Sequence, residues 1–168
     1  DNVNGSPNRV VFLNNGVWNV PAGVQRFKVW ICGGGGSAGD GWLVGEQDGP
    51  GAPGGDSPLI SAIFVSPGQG TAYPITIGAG GVSNVSGGVG GTTSFGATFS
   101  SSGGLKPGYT STTKGGPGTA SFPVGAPSFF HTNEMFCQGY YNNVIQGYGR
   151  GGNANYQSGR QGICVIEW

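Results

Sequence analysis

Runs rich in glycine cut this chain into short pieces, and they constrain its fold more than any other feature. They fall at residues 33–36, 49–55, 78–81, 87–91, 103–104, 115–118 and 147–152, within a total of 38 glycines in 168 residues. Their spacing is irregular. It matches neither the every-third-residue repeat of collagen nor a fixed-length solenoid unit. Glycine loses more backbone entropy on ordering than any other residue, so these runs do not order themselves. They either flex as loops or pack main chain against main chain. Length fits one domain, 1–168.

Between the runs, apolar residues alternate with polar ones, and no segment has a helical period. The clearest strand is 25–32, with Phe27, Val29 and Ile31 on one face and Lys28, Trp30 and Cys32 on the other. Further strands are expected at 9–13, 17–20, 59–65 and 162–168, with two or three more from 73–77 and 92–99. This spacing predicts an all-β, glycine-rich sandwich with long loops.

Several functions are disfavoured. Seven Lys and Arg balance seven Asp and Glu without a block of either sign. The basic footprint of a nucleic-acid binder is therefore missing, and no apolar run is long enough to insert in a membrane as a helix. Residues 1–7 lack the regions of a signal peptide and read as a boundary within a longer protein. Cys32, Cys137 and Cys164 make an odd count with no CxxC pair, which suits buried thiols better than disulfides or zinc. The stretch 75–81 imitates the start of a dinucleotide fold, but Ser83 stands where the third glycine belongs. His131, Glu134 and Cys137 are neighbours in sequence, which is no measure of nucleophile–base geometry. Asp40, Glu46, Asp48 and Asp56 lie in one glycine-rich stretch without an apolar pocket or a calcium-loop spacing. The expectation is a chain without catalytic residues, metal or cofactor.

Recognition remains. Trp42 sits among glycines where no strand pattern requires it. Residues 119–143 hold few glycines and many aromatics, and read as an inserted aromatic loop. Aromatic rings with polar edges, beside amide side chains, suit contact with sugars and polar surfaces. The candidate ligand-binding residues are Trp42, His131, Tyr140, Tyr141 and Asn143.

In order along the chain, five motifs resemble the glycine-rich C-terminal domains of bacteriophage tail fibres and related tail adhesins. They are Trp18-Asn19-Val20-Pro21-Ala22-Gly23-Val24, Val65-Ser66-Pro67-Gly68, Ile75-Thr76-Ile77-Gly78-Ala79-Gly80-Gly81, Gly90-Gly91-Thr92-Thr93-Ser94-Phe95-Gly96, and the closing Gly162-Ile163-Cys164-Val165-Ile166-Glu167-Trp168. The stretches 39–48 and 119–143 depart from that pattern. The resemblance implies a homotrimer at the distal end of a virion's tail fibre, joined to the rest of the fibre. It would bind a bacterial surface polysaccharide or another envelope receptor without chemistry. A fibre cap or trimerisation domain, with adhesion located elsewhere, is the alternative.

Overall fold

The computed structural model describes residues 8–39, 53–82, 88–107, 114–131, 148–152 and 158–168. Among them are ten strands: β1 (Arg9–Phe12), β2 (Gly16–Asn19), β3 (Arg26–Cys32), β4 (Leu59–Val65), β5 (Ala72–Thr76), β6 (Thr93–Phe95), β7 (Phe99–Ser101), β8 (Ala120–Ser121), β9 (Ser128–His131) and β10 (Ile163–Glu167). They form two five-stranded sheets, ordered β1-β10-β3-β4-β9 and β2-β5-β6-β7-β8, and every pairing is antiparallel. The all-β sandwich expected from alternation is the fold.

The core follows from that alternation. Phe27, Val29 and Ile31 of β3, Ile60 and Ala62 of β4, and Cys164 and Ile166 of β10 face Trp18, Ile75, Phe95 and Phe99 of the other sheet. Aromatic rings fill the gap. Tyr73 stacks on Phe95 at 4.5 Å, Trp18 meets Phe27 edge-on at 4.7 Å, and Phe64 lies parallel to Phe27 at 5.3 Å. Burying a side chain of this size contributes roughly 1.5–3 kcal/mol. Cys32 and Cys164 are buried free thiols, as the sequence suggests.

Two parts of the sequence reading take a different form. Of the two or three strands expected from 73–77 and 92–99, the second stretch supplies a hairpin: β6 turns back at Gly96, whose φ of +60° a residue with a Cβ adopts poorly, so that Phe95 pairs with Phe99. Residues 120–131, at the start of the supposed insertion, supply β8 to one sheet and β9 to the other. Residues 132–143 lie outside the described residues.

The glycine runs form a second body beyond one end of the sandwich. Segment 33–37 continues β3, and its N–H groups bond outward in rotation: Gly34 to Gly91, Gly35 to Arg160, Gly36 to Gly55, then Ser37 to Gly88. The fourth bond returns to the segment that took the first. That three-residue repeat, with no bonds inside a segment, is the habit of polyproline II-type helices. Gly34, Gly35 and Gly36 in turn accept from Gly104, Gly81 and Gly152. Among the described residues, six segments therefore surround 33–37.

The ring closes on itself. Gly91 donates to Ala79, Gly90 to Gly104, Gly55 to Leu105, Gly54 to Gly152, Arg160 to Arg150 and Gly159 to Gly81. Successive ring segments alternate in direction, as in the antiparallel bonds of Gly149 to Gln161 and Arg160 to Arg150. Segment 115–118 packs outside the ring, through Gly115 to Pro53 and Gly118 to Asp56. A Cβ built on Gly35 would collide with the carbonyl of Arg150, so glycine is needed here for space. Of the bundle glycines, only Gly149 has a positive φ (67°).

Hydroxyls join the two bodies. Ser57 Oγ takes the N–H of Gly33 at 2.7 Å and also bonds Ser101 Oγ and the carbonyl of Ser102. Thr93 Oγ1 takes the N–H of Gly78 at 3.0 Å. These donors sit where the sheet ladder has ended and the bundle has begun, and each buried group is satisfied.

Candidate functional site

The molecule has two unlike ends. At one end the first and last described residues pair, with Asn8 N–H to Trp168 O and Trp168 N–H to Asn8 O, both at 3.0 Å. At the other end lie the outer tips of the bundle segments. Four connections join bonded neighbours there: 40–52 between 33–39 and 53–57, 83–87 between 78–82 and 88–92, 108–113 between 102–107 and 114–118, and 153–157 between 149–152 and 158–162. All four leave and re-enter at the end away from the sandwich.

Trp42 belongs to the first of these connections and lies outside the described residues, with anchors at Gly39 and Pro53. Tyr140, Tyr141 and Asn143 also lie outside them. Their stretch starts after His131 and ends at Tyr148, at the joint between sheet and bundle. There His131 pairs with Leu59, and the Cys32 thiol donates to the carbonyl of Tyr148. The anchors of Trp42 and of the tyrosines are thus separated by the height of the bundle, about 15 Å for five residues of such a helix. The sequence candidates do not share one anchor.

His131 is fully placed. It ends the edge strand β9 on the outer face of its sheet, where Ser61 Oγ meets its Nε2 at 2.9 Å. The small Ser61 side chain leaves room for the imidazole to reach over β4 to Trp30, with ring centroids 4.7 Å apart. Lys28 Nζ stands 3.9 Å over the same indole, and Trp30 Nε1 donates to Glu167 Oε2 at 3.1 Å. Burial, and then the Lys28 ammonium, hold the imidazole below its ordinary pKa. Burial also lowers Lys28, against the opposing pull of Glu167.

This cluster was not singled out in the sequence. Its signal is Lys28-x-Trp30 on the non-core face of a strand, with a second cation–aromatic neighbour, Phe129, 6.0 Å from Lys28 Nζ. Trp30 is only 5% exposed, so it is a floor for Lys28 and His131 and no platform for a ligand. The exposed rings nearby are Phe129 and Phe130. Beside the cluster, an open groove of about 300 Å³ lies between Arg26, Phe27, Lys28, Ile63, Glu167 and Trp168. It belongs to the end where Asn8 and Trp168 pair.

Glu134 and Cys137, the neighbours considered for nucleophilic chemistry, lie outside the described residues. The stretch 78–81, which imitates a dinucleotide turn, is a bundle segment: Ala79 accepts from Gly91, and Gly81 donates to Gly35. The Gly78 carbonyl accepts from Gly162, the Gly81 carbonyl accepts from Gly159, and the Gly78 N–H goes to the Thr93 hydroxyl.

A family model described as a glycine-rich domain matches residues 12–166, which takes in both the sandwich and the bundle. No curated protein matches the chain.

Proposed function

We propose, for a chain that belongs to the family of glycine-rich domains, a binding role: the receptor-binding tip of a bacteriophage tail fibre. It recognises a bacterial surface polysaccharide or another envelope receptor, without catalysis. One observation carries the reading. Asn8 and Trp168 pair at one end of the molecule, and the anchors of four connections lie together at the far end of a main-chain bundle. A fibre attached at the first end presents the second to a cell. Function on connections held by a rigid frame is a general arrangement for recognition.

Assembly as a homotrimer at the distal end of the fibre is part of the reading, as the resembled tail adhesins imply. Phe129 and Phe130, exposed on the outer edge of β9, support contact between copies. Several weak contacts per subunit then add through multivalency.

The test is binding of the purified chain to a panel of bacterial cells and to polysaccharides extracted from them. Adsorption to a subset is expected, reduced by Trp42→Ala or Tyr140→Ala with the fold intact. Binding to no member of the panel defeats the reading, and full binding by both variants removes the assigned residues. A structural cap is the second reading, favoured by the same exposed edge. Deleting 132–143 separates them, because a pure cap keeps its assembly and the fibre keeps its host range. A solution mass of one chain would remove the trimer.

A further inference from the structure

Among the described residues, the bundle carries Lys106, Lys114, Arg150 and Arg160 against Asp56. Asp56 is already engaged, by Lys114 Nζ and by the N–H of Gly151.

Arg150 and Arg160 stand at one level of the bundle. Gly35 in its centre donates to Arg160 O at 2.8 Å, and Arg160 N–H donates to Arg150 O at 2.9 Å. Their segments are therefore neighbours in the outer ring, with backbones about 5 Å apart as in any such hydrogen-bonded pair. Both residues are exposed, and neither has an ion-pair partner among the described residues. Gly149, Gly151 and Gly152 beside Arg150 are buried, Ser158 and Gln161 near Arg160 are exposed, and the Asp56 carboxylate takes the N–H of Gly151, so the two arginines are the exposed cations of this flank. Like charges so placed repel until an anion lies between them. Planar forks of this kind hold a carboxylate or phosphate by paired hydrogen bonds.

We infer that Arg150 and Arg160 form a two-armed site for the acidic groups of a polyanionic glycan, on the flank of the bundle. This rests on the reading of the chain as a glycan-binding tip and names the class of glycan. Carboxylate and phosphate share the required chemistry.

The experiment measures binding of the full chain to immobilised polygalacturonate, to phosphomannan, to dextran and to duplex DNA. Binding to one or both acidic glycans is expected, with dextran ignored; the acidic polymer that binds identifies the anion. The affinity should weaken steeply between about 50 and 200 mM salt. Arg150→Gln and Arg160→Gln should each cost about tenfold, and the pair more. Arg160→Lys should retain part of the binding. Unchanged thermal unfolding of the variants checks that the fold survives.

Equal binding to dextran, or full binding by the double variant, overturns the inference. So does DNA held as tightly as the glycans, which would mark a general polyanion surface. Cell binding by the double variant at the wild-type level, lost in Trp42→Ala, sinks the arginine site and leaves the receptor reading standing. Binding of acidic glycans by a chain that adsorbs to no cells does the reverse.

Discussion

Gly35 donates its N–H to the carbonyl of Arg160 from the middle of a ring of six other segments, and its own carbonyl accepts from Gly81. The centre of this second body is peptide rather than side chain. Sandwich and bundle therefore obey different rules. The sandwich is held by ring contacts such as Tyr73 on Phe95, and the bundle by main-chain bonds that require closely approaching backbones.

Gly35→Ala is expected to destabilise the protein by about 3 kcal/mol, since a methyl would meet the Arg150 carbonyl with no room to yield. Gly116→Ala is the control. Its added Cβ would find only the end of the Leu105 side chain, at 3.4 Å, and should change stability by less than about 0.5 kcal/mol. Thermal unfolding of both variants compares them. Equal effects would contradict close packing at the bundle centre.

Ser57→Ala removes the hydroxyl that takes the Gly33 N–H and bonds Ser101 and Ser102. Ser57 is fully buried, so a loss of about 1–3 kcal/mol is expected, read from denaturant unfolding. Ser57→Thr should recover part of it if the pocket admits the extra methyl. An alanine variant as stable as the wild type would show that the joint does not depend on this hydroxyl.

Burial pushes the Cys164 thiol well above its ordinary pKa. Alkylation of the native protein at pH 8, read peptide by peptide, should spare Cys164 and Cys32 and modify both after unfolding. Rapid native labelling of Cys164 would mean that β10 opens readily.

His131 should titrate below 6.5 when followed by NMR, because burial and Lys28 both disfavour the imidazolium. The folded state then binds fewer protons than the unfolded state. Its contribution to stability is present above 6.5 and lost as pH falls through the lower folded value. The ring is only partly buried, so the change in stability is small. Lys28→Met should move the midpoint upward without fully restoring it, since burial remains the larger cause. A midpoint at or above 6.5 in the wild type would contradict the placement of the ring.

Much of the sandwich was legible because side chains alternate. Phe27, Val29 and Ile31 lie inward as the pattern of β3 requires, and β10 behaves likewise. β8 and β9 were not legible: one is two residues long, and the other places Phe129 and Phe130 side by side on an edge where alternation carries little weight. The bundle was hidden for another reason. Its three-residue repeat lives in the hydrogen bonds, and segments of four or five residues are too short to print that period on a sequence. Of the candidate site, His131 was readable as a polar group among aromatics. Its neighbours Trp30, Lys28 and Glu167 come from strands brought together only by folding.

A core made of main chain asks almost the same thing of every position, namely the smallest residue. Nothing in it is matched to the chemistry of what its outer tips carry. A change of sequence or length between two segments therefore leaves the main-chain bonds of the support untouched.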